Sequence, residues 1–129
     1  MNIRSLILVA LAATVFPVAA AGQMQPPQPM TTAQFESAPY GSSVQIVVRV
    51  TSLQRENLQA DLLAQVDASH YKTTATQVDL YFSADTPVVM GSVADVKAGA
   101  VLYIYAVATA HNRADVKKAV VVTPFVKVR

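Results

Sequence analysis

The residues able to act on a ligand are few and scattered. His70 stands three positions after Asp67 and directly before Tyr71. An imidazole beside a carboxylate can bind a metal or relay a proton. The chain has only two histidines, however, and no ligand spacing ties His111 to His70. The ordinary reading, a solvated loop histidine, is therefore preferred, and no metal site is expected. Ser42 and Ser43 follow Gly41 without the Gly-x-Ser-x-Gly setting of an activated serine. The four glycines, at positions 22, 41, 91 and 99, are too dispersed for a phosphate-cradling loop. There is no Cys, which removes thiolate chemistry, disulfides and lipid attachment at a cysteine. No catalytic residue and no cofactor is expected.

The remaining candidates are aromatic and basic. Tyr103 and Tyr105 share one face of a predicted strand, and Tyr81 lies on the face opposite Val78, Leu80 and Phe82. Aromatic rings on a barrel face can stack bases, at about 1–3 kcal/mol per base. Arg49, Arg55 and Lys72 would add phosphate contacts if the fold gathers them. Against this stands the simpler reading that tyrosines cover a half-buried sheet, as their strand preference favours. Charge points the same way. The formal net charge is +2, and it drops to +1 without Arg4. That balance does not guarantee the basic groove a nucleic-acid barrel uses. Lys117-Lys118 and Lys127 with Arg129 read as solvated strand edges that resist strand addition. Nucleic acid is accordingly not the expected partner.

The elements that must position these residues begin after an N-terminal preface. Arg4, the apolar stretch Ser5 to Val18 and the small residues Ala19-Ala20-Ala21 have the order of a secretory signal peptide over residues 1–21. The uncleaved alternative is a membrane anchor, but the run is near the lower length limit for a span. Pro17 and the Ala-x-Ala site favour cleavage, with no stable membrane insertion afterwards. Removing 21 of the 129 residues leaves 108, enough for one domain. Residues 22–40 are rich in Pro and Gln and read as an extended linker. Within it, Thr31 to Ser37 could form one helical turn. The linker as a whole is expected to bury almost nothing and to be dispensable for folding.

From Gly41 the apolar period becomes two. Val44, Ile46, Val48 and Val50 form one face of a strand. A turn is expected at Gln54 to Asn57, with Asn57 suited to the left-handed conformation. Leu58 to Val66 alternates as a second strand. Leu58, Leu62 and Val66 also stand at helical spacing, so helix remains the alternative for residues 58–68. Ala68 to Thr74 reads as a polar connection. A third strand, Gln77 to Phe82, turns Val78, Leu80 and Phe82 inward, and Val88 to Met90 continues it briefly. Ser92 and Asp95 have the spacing of a helical N-terminus, and Gly99 is placed to end that single turn. Val101 to Thr109 is the fourth strand, and His111 to Arg113 a turn. Ala114 to Val128 supplies the last strand or strand pair, with Val120 and Val122 facing opposite to Val121. Pro124 marks an edge or bulge there.

Three strands, a helical turn and two further strands predict an all-β fold, a small barrel of five to six strands with one short helical turn before strand four. Asp95-Val96-Lys97-Ala98-Gly99 ahead of the strand Val101 to Ala108 resembles a turn in a family of exported bacterial OB-fold-like small barrels of unknown function. The resemblance covers residues 41–129, and Leu58 to Ala68 is more Ala-rich than that pattern. It implies the OB-like barrel and brings no established activity. The expected role is a non-enzymatic binding module of the bacterial cell envelope, periplasmic or secreted. Its partner would be a peptide, a glycan or another envelope protein. The second choice is an oligonucleotide-binding barrel acting outside the cytoplasm.

Overall fold

A computed structural model describes residues 28–129, so the expected signal peptide and the first part of the linker lie outside the described residues. Seven strands form one sheet: β1 (Ser43–Gln54), β2 (Asn57–Asp67), β3 (His70–Tyr81), β4 (Val88–Val89), β5 (Val101–Ala110), β6 (Arg113–Val121) and β7 (Lys127–Val128). Five of them close a ring. β2 joins β1 and β3, β5 joins β1 and β6, all antiparallel, and a short parallel pairing of β3 with β6 completes the circuit. The fold is the small all-β barrel that the alternation predicts. Among the described residues no helix is long and apolar enough to cross a membrane.

The period of two places the core. Val44, Ile46, Val48 and Val50 of β1 meet Leu58, Leu62, Leu80, Leu102 and Ile104 in one buried cluster. Residues 58–67 are strand, not helix. Their partners on both sides, β1 and β3, offer a full ladder that an isolated helix could not match. In β6 the inward set steps from Val116 to Ala119, because Lys117 is an extra residue opposite the Tyr105/Ala106 step. That bulge leaves both lysines exposed and still returns Val121 to the core. Ahead of β5, Asp95 accepts from the Ser92 N–H at 2.8 Å and the 3-10 turn Val93–Asp95 ends short of Gly99, whose φ is +93°. The Gly99 N–H then donates to the Val50 carbonyl at 2.8 Å, tying the turn to β1.

Three local expectations are corrected. First, the linker is not idle from Met30 onward. Thr32–Glu36 forms a helix, α1, and Phe35 is only 4% exposed within the barrel core. The Thr31 hydroxyl accepts from the Gln34 N–H at 3.1 Å, and Gln34 Oε1 accepts from the Thr31 N–H at 2.9 Å. The Met30 N–H donates to the Gln45 carbonyl at 2.8 Å, extending the pairing of β1. Second, the turn between β1 and β2 uses Arg55, not Asn57, in the left-handed region, with φ +57°. Gln54 and Asn57 are the last paired residues, so only Arg55 and Glu56 lie in the loop. Third, Ala68 to Thr74 is largely strand. β3 begins at His70, and Tyr71 is buried against Val47, Leu63, Val101 and Tyr103 on the outside of the barrel. The chain end covers this second apolar layer. After the 3-10 turn Thr123–Phe125, which contains Pro124, β7 runs parallel to the start of β3.

Asp67 organises the turn between β2 and β3. Its Oδ1 accepts from the Ser69 N–H at 2.9 Å and the His70 N–H at 3.0 Å, and lies 2.8 Å from His70 Nδ1. The Ser69 N–H, followed by the His70 ring, holds this carboxyl below its ordinary range. A carboxyl with a folded pKa below its unfolded value stabilises the fold above the unfolded pKa, and that stabilisation is lost as pH falls through the folded one. Asp67→Asn should therefore lower the thermal midpoint near neutrality, and the gap from the parent should narrow as pH falls below the ordinary value of 3.8. Melts across a pH series measure this. A gap that stays constant through that range would mean the carboxylate charge contributes nothing.

Candidate functional site

Two hairpin turns stand at one end of the barrel. Arg55-Glu56 joins β1 to β2, and His111-Asn112 joins β5 to β6. Arg55 and Asn112 both take positive φ, which lets each chain reverse within two residues. Both turns are clamped to the end of β3. The Phe82 N–H donates to the Glu56 carbonyl at 2.8 Å, and the Asp79 N–H donates to the Asn112 carbonyl at 3.0 Å. Between the turns lies an open cleft of about 600 Å³ whose polar lining includes Arg55, Glu56, Asp79, Tyr81, Arg113 and Asp115.

The strand register sets that lining. Leu80 and Ala114 are ladder partners and both point into the core. Their neighbours must then point outward, which places Asp79 beside Arg113 and Tyr81 beside Asp115 on adjacent strands. Tyr81 is 48% exposed, and its hydroxyl donates to Glu56 Oε2 at 3.2 Å. The hydrogen bond to Glu56 and that residue's charge push the Tyr81 phenol up, with Asp115 and Asp85 acting in the same direction. Arg113 Nε lies 4.0 Å from Asp79 Oδ2, both side chains well exposed, so this pair is worth little in water. Among the described residues Arg55 and Asp115 make no ion pair. The surface therefore offers one aromatic face, carboxylates and guanidiniums on walls held by backbone hydrogen bonds.

The other residues singled out from sequence lie elsewhere. Tyr103 is 7% exposed in the outer apolar layer, and its hydroxyl donates to Gln45 Oε1 at 3.1 Å. Burial, followed by the neighbouring tyrosines Tyr105 and Tyr71, pushes its phenol up to about 12. The Tyr105 ring sits beside it at 5.2 Å between centroids, with Lys118 Nζ 4.5 Å from the Tyr105 centroid. Arg49 donates to Thr73 Oγ1 at 3.1 Å and approaches Asp61 at 4.0 Å. Lys72 is exposed on β3, opposite Ala64. Tyr81 belongs to the row of Asp115 and Val107, four residues along β5 from Tyr103, which is about 13 Å at the usual strand rise. Of the six aromatic and basic candidates, Tyr81 and Arg55 line the cleft. Comparison with family models, with curated proteins and with solved structures finds no match. Among the described residues no group of three or more His, Asp or Glu is placed to hold a metal ion.

Sequence reading did not single out Glu56, Asp79, Arg113 or Asp115. Alternation alone puts Asp79 outward with Tyr81, and that signal was available. The placement of Asp115 beside Tyr81 depends on the parallel register between β3 and β6, which no local pattern encodes.

Proposed function

We propose that this chain is an exported, non-enzymatic binding module of the bacterial cell envelope, with the cleft beside Tyr81 as its ligand surface. The observation that carries this reading is an exposed aromatic ring in an open polar cleft between two clamped turns. The ring order β1-β2-β3-β6-β5 supports an OB-fold assignment, with β4 and β7 as additions. In OB-folds the loop after the first strand and the loop before the last ring strand flank the ligand surface. Arg55-Glu56 and His111-Asn112 occupy those two places here. The ligand would be a peptide, a glycan or the surface of another envelope protein. Oligonucleotide binding is the weaker reading. Glu56, Asp79 and Asp115 would repel phosphates, and Tyr81 is separated from the Tyr103–Tyr105 pair.

Two experiments test the proposal. Export predicts that protein recovered from the envelope begins at Gly22, read by mass spectrometry. A membrane-bound form retaining Met1 would remove the periplasmic or secreted assignment. Binding at the cleft predicts that a photo-crosslinking amino acid at Tyr81 gives a discrete adduct in intact cells, while the same group at Lys72 gives none. Adducts from Lys72 alone would move the ligand surface to another face.

A further inference from the structure

We infer that the cleft receives a positively charged side chain of a partner polypeptide, a lysine ammonium or an arginine guanidinium, laid on the Tyr81 ring between Glu56 and Asp115. The inference rests on the proposed ligand surface and names the class of its occupant. Three features point to a cation. The ring is nearly half exposed, and its negative face is the part of an aromatic that attracts positive charge. Glu56 accepts from its hydroxyl at 3.2 Å, and Asp115 is its ladder neighbour, so two carboxylate residues adjoin the ring. Asp79 already stands opposite Arg113. That leaves Arg55, on the tip of the turn, as the cleft's other cation against Glu56 and Asp115.

The protein contains the same contact in satisfied form. Lys118 Nζ lies 4.5 Å from the centroid of Tyr105. Among the described residues no cation is placed over Tyr81, although its hydroxyl is bonded to a carboxylate. Three carboxylates, Glu56, Asp79 and Asp115, face two guanidiniums, Arg55 and Arg113, in the cleft lining, so the local balance favours a basic occupant. A polypeptide fits better than a free amine. The cleft is larger than one ammonium needs, and the adjoining Asp79–Arg113 pair offers an acceptor and a donor for a peptide backbone. Carboxylates at these positions oppose a phosphate chain, and a neutral glycan would gain nothing from the unbalanced charge.

The test is titration of the isotopically labelled full chain with an alternating Lys-Gly peptide, followed by amide chemical shifts. Parallel titrations use an alternating Glu-Gly peptide, lysine amide and a chitin oligosaccharide. The expected result is that the Lys-Gly peptide moves the amides of Asn57, Tyr81 and Asp115 and binds more tightly than lysine amide. Its affinity should fall as salt is raised and weaken about fivefold in Tyr81→Ala. It should also weaken in Asp115→Asn and survive Tyr81→Phe, which keeps the ring. Shifts confined to other faces, or affinity indifferent to Tyr81→Ala, would overturn the inference. Equal binding of lysine amide would overturn the polypeptide and keep the cation. If the oligosaccharide moves these amides and the Lys-Gly peptide does not, the cleft stands as the ligand surface and the cationic class falls. Failure of the in-cell crosslink at Tyr81 would strike the ligand surface itself.

Discussion

Phe35→Ala should destabilise the protein by about 3–5 kcal/mol. α1 has five residues, far too few to persist by its own hydrogen bonds. It exists because Phe35 is buried in the barrel core, with Met30 and Ala38 packed against the same cluster. Truncating the ring removes its burial and leaves a cavity that the surrounding strands cannot fully close. The helix is also tied on its outer side, where Thr76 Oγ1 donates to Glu36 Oε2 at 3.2 Å. A chain beginning at Tyr40 loses all of this together with the Met30–Gln45 hydrogen bond, so it should be at least as unstable. Each kcal/mol lowers the melting midpoint of a domain this size by roughly 4–8 °C. The shortened chain should therefore melt well over 10 °C below its parent. Coincident melts would mean that α1 only rests on the surface, as the Pro/Gln-rich reading of residues 22–40 supposes.

The contrast between that linker and the strands shows what the sequence makes legible. In β1, four alternating Val and Ile residues recur with little interruption, and period two leaves one way to bury them. The burial of Val44, Ile46, Val48, Val50, Val78, Leu80 and Phe82 follows directly. Phe35 is a single aromatic among Pro, Gln and Ser, and one residue has no period. Its place in the core depends on the barrel's open end, which exists only after the strands close. Tyr71 is hard to place from sequence for the opposite reason. Its polar neighbours, Ser69, His70, Lys72 and Thr73, suggest a loop, yet the second apolar layer needs β7, more than fifty residues later, to cover it. The cleft was half legible for the same reason. Tyr81 is outward by local alternation, whereas the company of Glu56 and Asp115 comes from a hairpin turn and from a parallel pairing set by ring closure. Base stacking across the barrel would need the aromatics on one surface, and the preferred reading of tyrosines covering a half-buried sheet suits Tyr103. Tyr103 lies beneath the chain end, and Tyr81 stands several residues away along the strands.

Leu80→Ala and Ile46→Ala should each cost about 2–5 kcal/mol. Both side chains are essentially without solvent contact, on different strands, within one core cluster. Leu80 faces Leu58 on one side and Ala114 on the other, so its removal opens a gap at the closure of the ring. Ile46 is the ladder partner of Ile104, midway along the pairing of β1 with β5. Domains of this size commonly have about 5–15 kcal/mol of total stability. Either variant could therefore be substantially unfolded, and Ile46→Val, at about 0.5–1.5 kcal/mol, supplies a graded comparison that remains folded. Urea unfolding followed by circular dichroism measures all three, with unchanged slopes required before the midpoints are compared. Tyr81→Ala is the control beside Leu80. It removes a larger side chain one residue away, yet from the solvent face, and should change stability by only about 0.5 kcal/mol. The ordering is what the register demands, since a slip of one residue exchanges the two faces of a strand. If Tyr81→Ala proved the costlier change, Leu80 would lie outside the barrel. The cleft would then lose its aromatic wall, because the ring that marks it would belong to the core.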